Sequence, residues 1–317
     1  MTGPFRMAEP IAFCAMAIES MLGWPTRLHR RFGHPVGMFA WLIGACEGRF
    51  NRTLVRNGHR RTGGIVTVCA LLAFAGGGAW LIEQTLRQLA GAWAWPILCL
   101  LAWPAMAARN LDDHVRPILS ALQRGDLARA REAVGWIVGR DTAALDEAGV
   151  ARAAIESLSE SFCDGVVAPL FWLLVLGLPG AWAYKAINTA DSMIGHRETP
   201  YTHFGWAAAR SDDLANLVPA RIAGVLLCSV AMRGWATLWR DHARHASPNA
   251  GWPEAAMAGA LSVRLAGPIA YDGVLADKLW IGQGGEADAG ALARALAIYR
   301  RACALLGIIA LGAAWLA

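Results

Sequence analysis

The sequence predicts an all-α, polytopic integral membrane protein, and three observations carry that expectation. Of 317 residues, 56% are apolar and only 17% are charged, too little polar surface for a water-soluble chain of this length. Apolar runs of membrane length recur between short polar stretches. Many of the 15 Trp stand beside those runs, as indoles do at membrane interfaces. The mean hydropathy of +0.36 agrees.

Taken in order, Met7–Trp24 is a weak first span, interrupted by Glu9 and Glu19. Thr26–Arg61 holds eight Arg and one Glu, and a short Arg-rich segment is retained in the cytoplasm. Within it a helix is expected after Pro35, with Met38, Trp41, Leu42 and Ala45 on one apolar face. Gly64–Ile82 and Gly91–Ala108 are the clearest spans, and together they return the chain to the cytoplasm. Residues 109–165 carry seven Arg and ten acids and read as a cytoplasmic helical insertion in a single membrane domain. Two short helices are expected there, broken at Gly125, with Leu127, Ala130, Val134 and Ile137/Val138 at helical spacing. A further helix follows, with Thr142 as its N-cap.

Val166–Ala186 is apolar but contains Pro169, Gly177 and Pro179-Gly180. It reads as a simple span or as a broken, re-entrant hairpin whose irregular backbone is buried in protein. Val218–Trp235 and Ala302–Ala317 are further candidates. Gly251–Ala270, rich in small residues and Pro, is either embedded or a surface loop. The total is about five to seven membrane segments.

The seven Cys are scattered without ligand spacing, so they read as small buried hydrophobes rather than a disulfide framework or zinc site. The start of the sequence has no basic n-region of a signal peptide. The net charge of +5 comes with no nucleic-acid motif, so no nucleic-acid partner is expected. There is no P-loop, HExxH or GxSxG pattern.

Three polar constellations stand out. Glu156, Glu160 and Asp164 are spaced by four, which sets them on one helix face where like charges repel unless Arg or a divalent cation compensates. A solvated acidic face would give the same pattern. In "NTADSMIGHRETPYTHFGWAAARSDDLANLVPAR", Asn188, Asp191 and Ser192 precede a DDxxN pattern of Asp212, Asp213 and Asn216. Acids and amides between apolar segments line functional cavities, although Ser211 or Asp212 would also serve as a helix cap. In "VGRDT", Arg140 offers a guanidinium suited to phosphate, or simply a surface turn. His34 is a lone base or phosphate donor, and Arg60 and Arg61 read as membrane-surface charges.

Together, "HPVGMFAWLIGACEGRFNR", "RRTGG", "WIVGRDTAALDEAGVARAAIESLSES", "DGVVAPLFW", the "NTADSM" to "LVPAR" stretch and "SPNAGWPEAAMAGALSVRLAGP" resemble the CobD/CbiB family of cobalamin biosynthesis. The resemblance spans most of residues 30–270. It implies an adenosylcobinamide-phosphate synthase of the bacterial inner membrane. Such an enzyme joins a propionate carboxyl of adenosylcobyric acid to (R)-1-amino-2-propanol or its O-2-phosphate, forming an amide and consuming ATP. It also implies ATP and Mg²⁺ as cofactors, the lipid bilayer as surroundings, and late cobalamin-pathway membrane enzymes as neighbours.

On that reading Glu156, Glu160, Asp164 and Asp191 are the catalytic candidates. Glu156, Glu160, Asp164, Asp212 and Asp213 are candidate metal ligands. His34, Arg140, Asn188, Ser192, Arg210, Asn216, Arg221 and Asn249 would bind substrate or phosphate. Ser161 departs from the family, whose members often carry Asn after the glutamate at 160. Two other readings are a non-enzymatic AmpE-like sensor or scaffold and an intramembrane Mg-dependent prenyltransferase, to which the DDxxN pattern alone would point.

Overall fold

The computed structural model describes residues 10–52, 56–139, 141–196, 198–271, 274–276 and 279–316. The expected all-α class holds: the described chain is helical apart from four strands of two or three residues. Three helical stretches are long and apolar enough to cross a membrane, namely Asn57–Gln123, Glu147–Ile194 and Ala289–Trp315, and a bent pair, Trp206–Ala215 with Leu217–Ala231, makes a fourth. The larger number expected from the sequence reflects interruptions inside these stretches. The first turns at Gly91, where φ is 54°, so its two apolar runs lie on separate arms. Ile11–Leu22, at 12 residues, rises only about 18 Å and is too short to span.

The chain divides into two compact units. The first comprises Met1–Ala107, Ala168–Asn216 and Ile309–Ala317. Its core gathers Phe39, Ile43, Val68, Leu71, Ala186, Ala190, Ile194 and Phe204. Helix Val36–Phe50 therefore buries Phe39 and Ile43, whereas Met38 and Trp41 are 52% and 74% exposed. The expected Met38/Trp41/Leu42/Ala45 face is corrected for a physical reason: in a bilayer the outward face is apolar too, so apolarity does not mark the inside.

Residues 166–186 adopt the broken form of the two readings. Helix Ala168–Ile194 is interrupted at Gly177, with φ 68° and ψ −158°, a backbone that costs glycine little and other residues a great deal. A methyl on Gly180 would collide with the Trp172 carbonyl. Eight helical residues would separate the two by about 12 Å, so the second arm turns back toward the first. Glu83 secures this turn. Its carboxylate accepts the Leu178 N–H at 3.2 Å and pairs with Arg87 at 2.9 Å, which satisfies an amide that lipid would leave bare.

The second unit comprises Ala108–Val167 and Leu217–Ile308, so the polar insertion folds with the C-terminal region. The break near Gly125 is present, with φ 70° between helices Ala108–Gln123 and Leu127–Gly135. The next helix, Glu147–Phe162, is capped by Asp146 accepting the Gly149 N–H. Thr142 is not the cap, because Asp146 lies directly before the first helical turn.

Helix Gly251–Leu261 is the centre of this unit, with ten of its 11 residues buried. The loop alternative for Gly251–Ala270 is thereby corrected. Its small Ala and Gly residues let Leu217–Ala231, Trp235–Asp241 and Glu147–Phe162 pack closely around it. Strand Leu265–Ala266 pairs antiparallel with Trp280–Ile281. Among the seven free thiols, Cys99, Cys163 and Cys228 are buried and Cys69 is exposed, so burial explains fewer of them than expected.

Candidate functional site

Each unit carries a polar constellation. In the first, Tyr184, Asn188 and Asp191 lie on one face of the second hairpin arm, at spacings of four and three. Helix Trp206–Ala215 brings Asp212, and Asn216 follows as its C-cap. Asn216 Nδ2 donates to Asp212 Oδ2 at 3.0 Å. Asn188 Nδ2 reaches Asp212 Oδ1 at 3.5 Å. The Tyr184 hydroxyl donates to Asn216 Oδ1 at 3.0 Å.

Both Asn216 and Tyr184 are 2% exposed. The Asp212 carboxylate is thus fixed by two carboxamides, one of them locked by a buried tyrosine. Asp191 and Asp213 carry the nearest like charges. Trp172 Nε1 donates to the Ala215 carbonyl at 3.1 Å and pins the helix end. Gly195 admits the Asp191 carboxylate, with which a methyl there would collide.

This arrangement brings together Asn188, Asp191, Asp212 and Asn216 as the sequence suggested. Asp213 is turned to Arg210 at 3.2 Å, with that arginine 63% exposed. The Ser192 hydroxyl is exposed and donates to the Asn188 carbonyl at 2.9 Å, an ordinary back-bond within a helix. His34 stands at a helix start. Its Nδ1 accepts the Val36 N–H at 3.2 Å, and its ring meets Trp24 edge-on at 4.9 Å. Burial first, then the Lys185 and His29 charges, push its pKa down to about 4. With Nδ1 accepting at the helix start, the neutral imidazole carries its proton on Nε2 and keeps that N–H as a donor.

In the second unit, Glu156, Glu160 and Asp164 occupy the face of their helix that is not buried. Asp164 lies in a π-helical turn, Cys163–Val167. Their roles divide. Glu156 Oε1 accepts the Ala266 N–H at 2.7 Å, with Arg152 Nε 3.9 Å away. This carboxylate tethers strand Leu265–Ala266, a structural contact that stands beside its place among the catalytic and metal candidates. Glu160 is exposed and Asp164 half-buried. Arg140 lies outside the described residues.

Arg221 and Asn249, 28 residues apart, meet in this unit: Nη1 donates to Asn249 Oδ1 at 2.8 Å and to the Leu217 carbonyl at 2.8 Å. The guanidinium also lies over the Trp252 ring at 4.8 Å. Sequence reasoning missed Tyr184, Trp252, His245 and Glu254. Glu254 is 4% exposed, and His245 Nε2 stands 3.8 Å from it. The Ser247 N–H donates to His245 Nδ1 at 3.0 Å, which leaves the ring proton for Nε2. The signal was present in "SPNAGWPEAAMAGAL", where Glu254 is the lone charge in a run of small residues.

The family described as CobD/Cbib protein matches residues 12–299. The chain belongs to the CobD/CbiB family. That match covers both constellations. Among similar proteins, the cobalamin biosynthesis protein CobD of Rhodobacter capsulatus is 47% identical over 307 residues, covering 93% of this chain and 95% of its own. The protein of the same name from a Sinorhizobium species is 44% identical over 303 residues, covering 92% and 94%. That of Rhizobium meliloti is 42% identical over 310 residues, covering 93% and 94%. No solved structure is similar to the chain.

Proposed function

We propose that this protein is the membrane acid–amine ligase of cobalamin biosynthesis. It would join adenosylcobyric acid to (R)-1-amino-2-propanol or its O-2-phosphate and yield adenosylcobinamide or its phosphate. Membership of the CobD/CbiB family across residues 12–299 carries this reading. The Asp212 cluster is where we place the chemistry.

A carboxylate and an ammonium ion do not condense at neutral pH, so both must be changed. The substrate carboxylate oxygen bonds to the terminal phosphorus of ATP as ADP leaves. The neutral amine nitrogen then attacks the acyl carbon, and inorganic phosphate leaves. The nitrogen's proton passes to a carboxylate of the protein. We assign that base to Asp191, because both oxygens of Asp212 are engaged by carboxamides. Asn188 and Asn216 hold Asp212 in orientation. Within the second unit, Arg221, stacked on Trp252 and bonded to Asn249, is by itself a planar donor suited to an anion or an amide.

Among the described residues no three His, Cys, Asp or Glu side chains form a group able to hold a metal. A Mg²⁺ ion would therefore be held by Asp212 or Asp213 together with phosphate oxygens and water, a donor set common for this ion, which leaves Asp191 as the base. Bound there, it would neutralise phosphate charge.

The test is amide formation by the purified protein in lipid nanodiscs, given adenosylcobyric acid, ATP and either amine. Product with one amine and stoichiometric ADP is the expected result. Absence of product with both amines, from protein that is folded and binds the corrinoid, rejects the reading. Glu160→Gln and Asp164→Asn, assayed beside it, show whether the uncovered acidic face contributes.

A further inference from the structure

The sequence reading left Arg60 as a charge at the membrane surface. The structure places it elsewhere: it is 7% exposed, at the start of helix Asn57–Leu72. Its Nε and Nη2 both donate to Asn51 Oδ1, at 2.9 and 2.7 Å, and Nη2 also donates to the Pro200 carbonyl. Nη1 has no hydrogen-bond partner among the described residues. The guanidinium is thus fixed in place with one end open.

Arg60 also lines a cavity of about 310 Å³ within the first unit, together with Asn57, Thr199, Pro200, Thr202 and His203. The lining offers a guanidinium, an amide, two hydroxyls and an imidazole, and it includes no carboxylate. The nearby Glu47 is already engaged by the Tyr201 hydroxyl. The first turn of a 16-residue helix also begins here, with Asn57 as its first residue and no side-chain cap from Arg56. Its amide N–H groups and dipole favour an anion.

We infer that this cavity is a phosphoryl-binding site with Arg60 as its fixed anchor. Donors of four chemical kinds around one cavity suit a tetrahedral oxyanion better than a planar carboxylate. A guanidinium already held by Asn51 and Pro200 loses little freedom when the anion arrives. The volume is at the small end for ligand sites, which fits the phosphate end of a small molecule or a lipid headgroup. The inference does not depend on the ligase reading, since it concerns phosphate binding without ATP or corrinoid.

The test uses full-length protein in phosphatidylcholine nanodiscs, titrated with inorganic phosphate and followed by calorimetry. Saturable binding is expected, weakened about tenfold to a hundredfold in Arg60→Gln, as for loss of a charge-assisted hydrogen bond. His203→Gln and Thr202→Val, at half-buried and exposed positions, should each weaken it several-fold with melting unchanged. They keep the test valid if Arg60→Gln does not fold. Repeating the titration in phosphatidylglycerol nanodiscs separates the sources. Loss of phosphate binding there, restored in phosphatidylcholine, assigns the site to lipid headgroups; unchanged binding assigns it to a soluble phosphate. No saturable binding by the wild type, or binding indifferent to all three substitutions, overturns the inference. Because no amide is formed in this assay, its failure and failure of the ligase reading are distinguishable.

Discussion

Asn216→Ala is the sharpest probe of the Asp212 cluster. The carboxamide it removes accepts from Tyr184 and donates to Asp212, at 3.0 Å in each case. Its surroundings are dry, since Asn216 and Tyr184 are each 2% exposed. The substitution removes the bond from a buried hydroxyl, worth about 1–1.5 kcal/mol, and a bond to a carboxylate worth about 1.5–3 kcal/mol. The expected loss is roughly 2.5–4.5 kcal/mol. Tyr184→Phe removes one hydroxyl and its bond to Asn216 Oδ1, so roughly 1–2 kcal/mol is expected. The double variant should cost less than the sum, because both changes delete the same Tyr184–Asn216 bond. Unfolding in detergent micelles gives the stabilities, and amide formation well below the melting temperature gives the function. Activity should fall steeply in Asn216→Ala and less than about tenfold in Tyr184→Phe, which keeps the bond to Asp212. Wild-type activity in Asn216→Ala would refute the assignment of Asp212, and equal activity losses in the two variants would refute the proposed order of dependence.

Three further outcomes follow from the same structure. His34, pushed down to about 4 chiefly by burial, takes up its proton in the unfolded chain near pH 6.5 but in the folded one only near 4. Stability is therefore complete above about pH 6.5 and declines as pH falls toward 4, by on the order of 1–2 kcal/mol after allowance for the solvent the ring still meets. His34→Gln should flatten the difference in melting temperature between pH 7 and pH 5. Asp241, which is fully buried, is held charged first by Arg240, then by the Gly282 N–H and Arg244, against the cost of burial. Asp241→Asn should cost about 1–3 kcal/mol, because it weakens charge-assisted bonds to arginines that are themselves 38–39% exposed, and the pH dependence it removes lies below the ordinary carboxylate value, where the wild type loses this contribution as the group protonates. Glu156→Gln should preserve the bond to the Ala266 N–H and most activity. Glu156→Ala should lower the melting temperature, with any activity loss recovered on cooling.

Much of the first constellation was legible because its residues are close in sequence and helical geometry does the rest. Asn188 and Asp191 share a face by spacing, and Asp212 and Asn216 are one turn apart. Their meeting across two helices follows from the costliness of leaving such groups in lipid. The hairpin at Gly177 was legible only as one of two alternatives, since Pro179-Gly180 marks a break without giving its direction. What decided the direction is a contact, Gly180 against the Trp172 carbonyl. The buried face of Val36–Phe50 was not legible at all, because amphipathic patterning presumes water on one side and this helix has apolar residues on both. Arg60 illustrates the same limit for charge. Its burial depends on Asn51 and on Pro200, 140 positions away, and no local pattern carries that information.

The three spaced acids show why a shared face is weaker than a shared environment. Helical periodicity correctly set Glu156, Glu160 and Asp164 on the uncovered side of their helix, and repulsion along that row requires compensation. For Glu156 the compensation is internal. Ala266 sits at φ 57°, which turns its N–H toward the carboxylate, and Arg152 closes the other side while stacking on Trp280 at 5.1 Å. Arg264 approaches the same indole at 4.7 Å. A carboxylate that neutralises one arginine and fixes a strand start is part of the scaffold, and its removal exposes that strand before it touches any chemistry. Glu160 keeps its exposure, and Asp164 sits where the α-helix widens to a π-turn, a distortion that recurs at functional sites because it re-aims a side chain at a cost in regular hydrogen bonding. Glu156 is thus the member of the row tied to the strand, while in the first unit Asp212 stands oriented by carboxamides with a second carboxylate beside it. That asymmetry, a carboxylate oriented by amides against a carboxylate that holds the fold, is the physical ground for placing amide formation on the NTAD and DDLAN segments rather than on the acidic row.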